Sequence, residues 1–174
     1  MKIFPKIVTL CYVELMTIHK LNLPLKGGCR CGRTRFQIDA RPLMTHACHC
    51  RGCQIMTASA FSLTVAVPSA AFNIVEGNPV PGGLRNPKEP YMHCDWCKAW
   101  VFTKKEPDAG YINVRAMMLD DPSWFEPFIE VWTSEKLSWA STPAKHGFAK
   151  EPDMSAYPSL LREFAASDIG SSFI

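Results

Sequence analysis

Seven of the eight cysteines in this chain fall into three short groups, and this spacing limits the possible folds more than any other feature. The groups are Cys29-Arg-Cys31, Cys48-His-Cys50-Arg-Gly-Cys53 and Cys94-Asp-Trp-Cys97. In a reducing compartment, cysteines at such short spacings are more often metal ligands than disulfide partners. Cys11 stands apart and is interpreted as a small buried hydrophobe or a thiol on a loose end. The pattern predicts a protein that binds metal through cysteine.

The first and third groups together supply the four ligands that a closed zinc site requires. Residues i and i+2 of a strand point to the same face, so Cys29 and Cys31 can direct both sulfurs at one ion. The two-residue gap between Cys94 and Cys97 lets a tight turn present two more thiolates to that ion. We predict that these four cysteines bind a structural zinc, which fastens the first strand to a distant hairpin.

The second group offers three thiolates within six residues and no fourth cysteine. Cys48 and Cys50 share a face by the same strand argument, and a strained turn at Gly52 would bring Cys53 back to the same ion. Three protein ligands and an open fourth position are typical of a catalytic zinc. We therefore predict that Cys48, Cys50 and Cys53 are catalytic residues that hold a second, more labile zinc.

Two alternatives for the second group stay open at the level of sequence. The three cysteines can share one site with members of the other groups, which would leave a single metal in the protein. They can also recruit a histidine that closes the site. His46 is the better candidate, because it precedes Cys48 by two residues and faces the same way, whereas His49 alternates to the opposite face.

The rest of the sequence favours short strands. Fourteen prolines and ten glycines divide the chain into short pieces and argue against long helices. Alternating or β-branched patterns predict strands at 35–39, 61–67, 72–75, 100–103, 111–115 and 128–132. One helix is predicted at 157–164, with Pro158 in its first turn. The predicted class is mainly β, with several small antiparallel sheets around the structural zinc and one short C-terminal helix.

The length of 174 residues suits one domain. We predict an N-terminal extension over 1–24, with Met16 as an alternative start, a single zinc-binding β domain over 25–166 and a tail over 167–174. A net charge of +3 is too mild for nucleic acid to be the main partner. No apolar stretch approaches the roughly 18–20 residues that cross a bilayer, so no membrane partner is expected and the location is predicted to be cytoplasmic.

The three cysteine groups, in this order and with these flanking residues, resemble the family of glutathione-dependent formaldehyde-activating enzymes, which includes the zinc domain of a vertebrate centromere protein. The likeness extends over roughly 25–140 and includes the run of small residues from Thr57 to Phe61. It implies a β-rich fold related to zinc-ribbon-containing, chaperone-like domains (the Mss4-like fold). It also implies that the first and third groups bind the structural zinc and that the second group binds the catalytic one.

The resemblance further implies an activity. Founding members join glutathione and formaldehyde to S-hydroxymethylglutathione, which is a carbon–sulfur lyase reaction run in reverse. The expected partner is therefore a small-molecule thiol such as glutathione, and a homo-oligomer is an open expectation. Lys98 stands where the family usually has a glycine after its C-x-x-C, which predicts a different turn. The alternative function is a non-catalytic, zinc-stabilised binding module with two closed metal sites.

Overall fold

The computed structural model describes residues 21–83, 88–105 and 109–173. Cys11 and most of the predicted N-terminal extension lie outside these ranges. The described part of the chain contains eleven strands and three helices. The strands are β1 (Leu25–Gly28), β2 (Arg35–Ile38), β3 (Met44–Cys48), β4 (Ser62–Pro68), β5 (Phe72–Glu76), β6 (Val80–Gly82), β7 (Tyr91–His93), β8 (Trp100–Lys104), β9 (Tyr111–Arg115), β10 (Ile129–Val131) and β11 (His146–Gly147). The helices are α1 (Arg51–Thr57), α2 (Tyr157–Ala166) and α3 (Asp168–Ser171).

These strands form two sheets, and the predicted mainly β class is confirmed. The smaller sheet has the antiparallel order β1-β2-β5. The larger sheet has the order β11-β10-β3-β4-β9-β8-β7-β6. In the larger sheet, β10 pairs in parallel with β3 and with β11, whereas all the other pairs of neighbouring strands are antiparallel. The larger sheet is wider than the sequence predicts, and it is mixed in direction because β10 pairs in parallel with residues of β3 that lie 83 positions earlier in the chain.

All six predicted strands are present, and the predicted C-terminal helix is α2. The sequence pattern missed β3, in which four of the five residues are buried and only His46 is half-buried. A strand covered on both faces shows no alternation of apolar and polar residues, so the period of two is lost. The pattern also missed α1, whose seven residues are too few to display a helical period.

Two hydrophobic cores hold the structure together. The first core joins the two sheets and is centred on Phe36, Ile38, Val65, Val67, Phe102 and Val114. The second core lies where α2 covers the β3–β10 side of the larger sheet, and it contains Met44, Phe128, Ile129, Val131, Leu160 and Phe164. Cys29 and Cys94 belong to the first core, whereas Cys48 belongs to the second. Each group of cysteines is therefore anchored to a different core.

The division of the chain into extension, domain and tail stays a prediction. Residues 167–173, which that division left outside the domain, include α3 and bury Phe173 edge-on against Trp124, with ring centroids 5.0 Å apart. Leu21 reaches the same end of the chain, where its backbone N–H donates to the carbonyl of Ser172 at 2.8 Å. Among the described residues, the longest helix has ten residues, and none has the length and apolar character needed to cross a membrane.

Candidate metal centres

The first and third cysteine groups meet in space and form what we call the four-sulfur cluster: Cys29, Cys31, Cys94 and Cys97. All four sulfurs lie within 4.8 Å of one another. The Cys29 and Cys31 sulfurs are 3.3 Å apart, and the Cys31 and Cys94 sulfurs are 3.7 Å apart. A tetrahedron with zinc–sulfur bonds of about 2.3 Å separates its sulfurs by ~3.8 Å. The donor set and its spacing therefore fit a closed zinc site.

Two tight turns build this cluster. Cys29 and Cys31 follow the end of β1 and lie in a turn closed by the Gly32 N–H, which donates to the Cys29 carbonyl at 2.9 Å. The strand geometry predicted for this pair is therefore wrong: the turn, not an extended segment, brings the two sulfurs together. The second turn joins β7 to β8, and the side chain of Arg33 crosses from the first turn to Asp95 of the second at 3.6 Å.

Lys98 closes the second turn in the conformation that a glycine would take. Its φ is +58°, in the left-handed region, and its N–H donates to the Cys94 carbonyl at 3.2 Å. The expectation of a different turn at this position is therefore wrong. The chain keeps the glycine-type turn and accepts the strain of a Cβ in the left-handed region.

Replacing Lys98 with glycine is expected to stabilise the protein by about 0.5–1 kcal/mol, because relief of the left-handed strain exceeds the added entropy of the unfolded chain. Urea unfolding of the zinc-loaded protein measures the change. Lys98→Ala is the matched control, since it removes the same side chain but keeps the Cβ. An equal gain in both variants would show that the lysine side chain, and not the backbone strain, is the source.

The second group forms a separate cluster, here called the three-sulfur cluster: Cys48, Cys50 and Cys53. Their sulfurs also lie within 4.8 Å of one another. Cys48 is buried at the end of β3, while Cys50 and Cys53 are half-buried. The two clusters share no cysteine, so the alternative of a single shared metal site is not the arrangement in the structure.

Helix α1, and not a strained glycine turn, positions the second and third sulfurs. Cys50 is the N-cap of α1, and its sulfur accepts the Cys53 N–H at 3.4 Å. Cys53 lies in the first helical turn, and Gly52 between them is helical, so the prediction of a strained turn at Gly52 is wrong. The prediction that Cys48 and Cys50 share one strand is also wrong, because β3 ends at Cys48.

The electrostatics of the three sulfurs are dominated by their mutual contacts. Hydrogen bonds from the Cys48 and Cys53 thiols hold the pKa of the Cys50 thiol far below its ordinary value. The same contacts, together with burial, raise the pKa of Cys48. In the four-sulfur cluster, burial raises the pKa of Cys94, but hydrogen bonds from the Thr34 side chain, from backbone N–H groups of the turn and from Cys29 together outweigh burial and lower that pKa to about 6. Each cluster thus contains a thiol whose lowered pKa favours the thiolate, which is the form that binds zinc.

No histidine of the described residues joins either cluster. His46 lies on β3 but lines a separate cavity with Met44, Asn113 and Ile129. Its pKa is lowered to about 3, mainly because the ring is buried. The alternative in which His46 closes the second site is therefore not the arrangement in the structure. His49 is likewise not part of the three-sulfur cluster, and its ring packs against the ring of Phe61, with centroids 5.2 Å apart.

His49 reveals a polar network that sequence reasoning missed. Its Nε2 lies 3.0 Å from the Oε2 of Glu130 on β10. That carboxylate also accepts from Lys136 Nζ at 2.8 Å and from Thr142 Oγ1 at 2.9 Å. Burial raises the pKa of Glu130, but these hydrogen bonds outweigh burial and lower it below the ordinary 4.5. The network fixes the segment between Cys48 and Cys50 to the neighbouring strand.

Glu130→Ala is expected to cost about 3 kcal/mol of unfolding free energy, because it leaves the buried His49 and the half-buried Lys136 without their shared partner. Thermal or urea unfolding at neutral pH measures the loss. Because the pKa of Glu130 is lowered by folding, its contribution is present above pH 4.5 and disappears as the pH falls through the lowered value. The variant and the wild type should therefore converge in acid.

Glu163→Ala is the control for this prediction. Glu163 makes a similar pair with His146 at 3.0 Å, but both side chains are about one-third exposed. Its removal is expected to change stability little, because solvent screens exposed pairs. Equal losses from both substitutions at neutral pH would contradict a special role for the buried network.

One of three comparisons with known proteins identifies a family. A family model described as glutathione-dependent formaldehyde-activating enzyme matches residues 24–135, a range that contains all seven clustered cysteines. A comparison with curated proteins gives no significant match. Among solved structures, a crystal structure of a Rhodobacter sphaeroides protein is 16% identical, with a TM-score of 0.45. The alignment covers 55% of this chain and 87% of that one.

Proposed function

This chain belongs to the glutathione-dependent formaldehyde-activating enzyme family, and from that premise we propose that it is a zinc-dependent carbon–sulfur lyase. Its proposed substrate is an adduct of a thiol and an aldehyde, such as S-hydroxymethylglutathione, or the glutathione and formaldehyde that form it. One observation carries the proposal: the three-sulfur cluster has no fourth His, Cys, Asp or Glu donor among the described residues, although a complete four-sulfur cluster exists elsewhere in the fold.

The two clusters divide the work in this proposal. The four-sulfur cluster, with its ligands in tight turns, closes around its ion and stabilises the fold. A zinc ion held by the other three sulfurs would offer its remaining position to a substrate thiol and lower the pKa of that thiol. Cys48 anchors this second site in the core, whereas the half-buried Cys50 and Cys53 leave one side accessible to a small molecule.

The proposed reaction needs no other reagent. In the direction of synthesis, the thiol sulfur forms a bond to the carbon of formaldehyde and the π electron pair of the carbonyl moves to its oxygen. That oxygen takes up the proton that the thiol released. The lyase direction is the reverse of these steps. Reduced thiols in both clusters require a reducing compartment, so a cytoplasmic location is part of the proposal.

NMR exchange spectroscopy tests the proposal directly. Glutathione and isotopically labelled formaldehyde exchange with their adduct without a catalyst, and we expect the zinc-loaded protein to accelerate this exchange. Metal-free protein and a blocked thiol, S-methylglutathione, are the controls and should give no acceleration. Absence of acceleration by the loaded protein would contradict the enzyme proposal and favour the zinc-stabilised binding module.

A further inference from the structure

We propose that Arg115 binds a carboxylate of the thiol substrate, in a pocket beside the three-sulfur cluster, so that the enzyme selects acidic thiols. This inference rests on the proposed function and names the substrate class. It starts from a charged side chain that neither metal cluster uses and that sequence reasoning did not single out.

Arg115 is a buried cation without an anionic partner. It is the last residue of β9 and only 8% exposed. Its Nε has no hydrogen-bond partner, and no carboxylate of the described residues forms an ion pair with its guanidinium. Its guanidinium lies over the ring of Trp100, with Cζ 3.9 Å from the ring centroid. Burying a cation is costly unless an anion compensates it, so the position favours an anion close to the guanidinium.

Arg115 lines a cavity of about 380 Å³, here called the arginine pocket. Met56, Thr57, Trp100, Met117 and Met118 are among the other residues that line it. Among the described lining residues, Arg115 is the one charged side chain. The guanidinium group is planar and can donate two parallel hydrogen bonds to one carboxylate. An apolar pocket with this single buried cation therefore suits a ligand that carries a carboxylate.

Strand register places Arg115 near the three-sulfur cluster. Arg115 lies directly opposite Thr64 on β4, and Cys48 lies directly opposite Ser62, two residues earlier on that strand. Opposite residues in antiparallel strands share a face, so all four side chains share one face of the sheet. Arg115 and Cys48 are two strands apart across the sheet and two residues apart along the strand direction, so their Cα atoms are separated by about 12 Å. Thr64 Oγ1 on this face is also buried without a partner.

A peptide-like thiol fits this separation. A carboxylate one or two residues from the thiol lies roughly 3.5–7 Å from it along an extended chain, and the length of the arginine side chain covers much of the remaining distance. The pocket is also joined to the cluster through α1, where Thr57 Oγ1 donates to the Cys53 carbonyl at 2.8 Å. One substrate can therefore place its sulfur at the three-sulfur cluster and its carboxylate in the arginine pocket.

The competing explanation is that Arg115 only offsets the negative charge of the thiolates. Burial lowers the pKa of Arg115 to about 10, and the nearby Cys53 and Cys48 oppose that effect. An arginine with that role alone would influence every thiol ligand equally. A carboxylate-binding arginine would instead discriminate between an acid and its ester.

Calorimetric binding to the zinc-loaded protein separates these cases without measuring activity. Glutathione and its diethyl ester, without any aldehyde, are the two probes, measured on the wild type, Arg115→Met and Arg115→Lys. We expect the ester to bind the wild type at least 30-fold more weakly than the acid, and Arg115→Met to lose the same factor for the acid alone. Arg115→Lys should recover part of the loss, because it restores the charge without the planar fork. Arg162→Met, on the exposed face of α2, is the control for loss of a positive charge.

Three results would overturn the proposal. They are failure of the wild type to bind the acid, equal binding of acid and ester, and a loss in Arg115→Met that is the same for both probes. If Arg115→Met does not fold, the acid and ester comparison on the wild type and on Arg115→Lys decides the question. Exchange spectroscopy with glutathione diethyl ester separates this outcome from failure of the proposed function: acceleration with the ester but no preference for the acid would remove only the role of Arg115.

Discussion

Replacing Cys94 with serine is expected to unfold the protein at physiological temperature. Its sulfur belongs to the four-sulfur cluster, and its side chain is fully buried in the core that joins the two sheets. Structural zinc contributes about 10–16 kcal/mol to folding in small zinc domains, whereas a whole domain is stable by only about 5–15 kcal/mol. Loss of one ligand from a closed site therefore removes more stability than the domain can spare.

Circular dichroism during thermal unfolding, with zinc content determined on the same samples, measures this prediction. Treatment of the wild type with a strong chelator should reproduce the effect of the substitution, because both remove the same ion. A Cys94→Ser protein that keeps its melting temperature and its full zinc content would show that the four-sulfur cluster is not a structural zinc site. Retention of the melting temperature by the chelated wild type would lead to the same conclusion.

The grouping of the cysteines could be predicted because ligand chemistry imposes it. A closed zinc site needs four donors, and only the first and third groups provide two pairs. The local backbone could not be predicted in the same way. Spacing of i and i+2 is compatible with a strand and with a turn, and the structure uses a turn at Cys29 and a strand end followed by a helix cap at Cys48 and Cys50.

Arg115 and Glu130 were missed for a different reason. Both are charged residues near or within short strands, where a charge normally marks the solvent-facing side. Their burial depends on what covers the sheet. The segment that contains Lys136 and Thr142 covers Glu130. The ring of Trp100 covers Arg115, which also lines the arginine pocket. The covering residues are distant in sequence from the strands that they cover, so no local sequence pattern reveals the burial. Only the tertiary structure identifies these residues.

The attachment of each cluster to its own core makes their separate roles testable. Cys94 is fully buried where the two sheets meet, so its loss affects the whole domain. Cys50 is half-buried at the edge of the second core and belongs to a helix of seven residues. A substitution there removes a ligand without opening a cavity in either core.

Replacing Cys50 with alanine is therefore expected to leave the fold intact, to remove the second zinc and to reduce adduct exchange to the uncatalysed rate. The variant should bind one zinc per chain where the wild type binds two. Its free energy of unfolding should fall by about 1 kcal/mol, because the Cys50 sulfur caps α1 by accepting the Cys53 N–H. Metal analysis, thermal unfolding and exchange spectroscopy on one preparation measure the three effects.

Cys50→Ser isolates the metal from the cap, because serine is itself a good N-cap residue but a poor replacement for a thiolate ligand. We expect Cys50→Ser to regain the stability that is lost in Cys50→Ala. We also expect it to accelerate adduct exchange no more than Cys50→Ala does. Unfolding of both variants would show that the three-sulfur cluster is structural, and the division of labour between the clusters would then be wrong. Full activity in Cys50→Ala would remove the three-sulfur cluster from the reaction, since the remaining two sulfurs and solvent cannot maintain the same site.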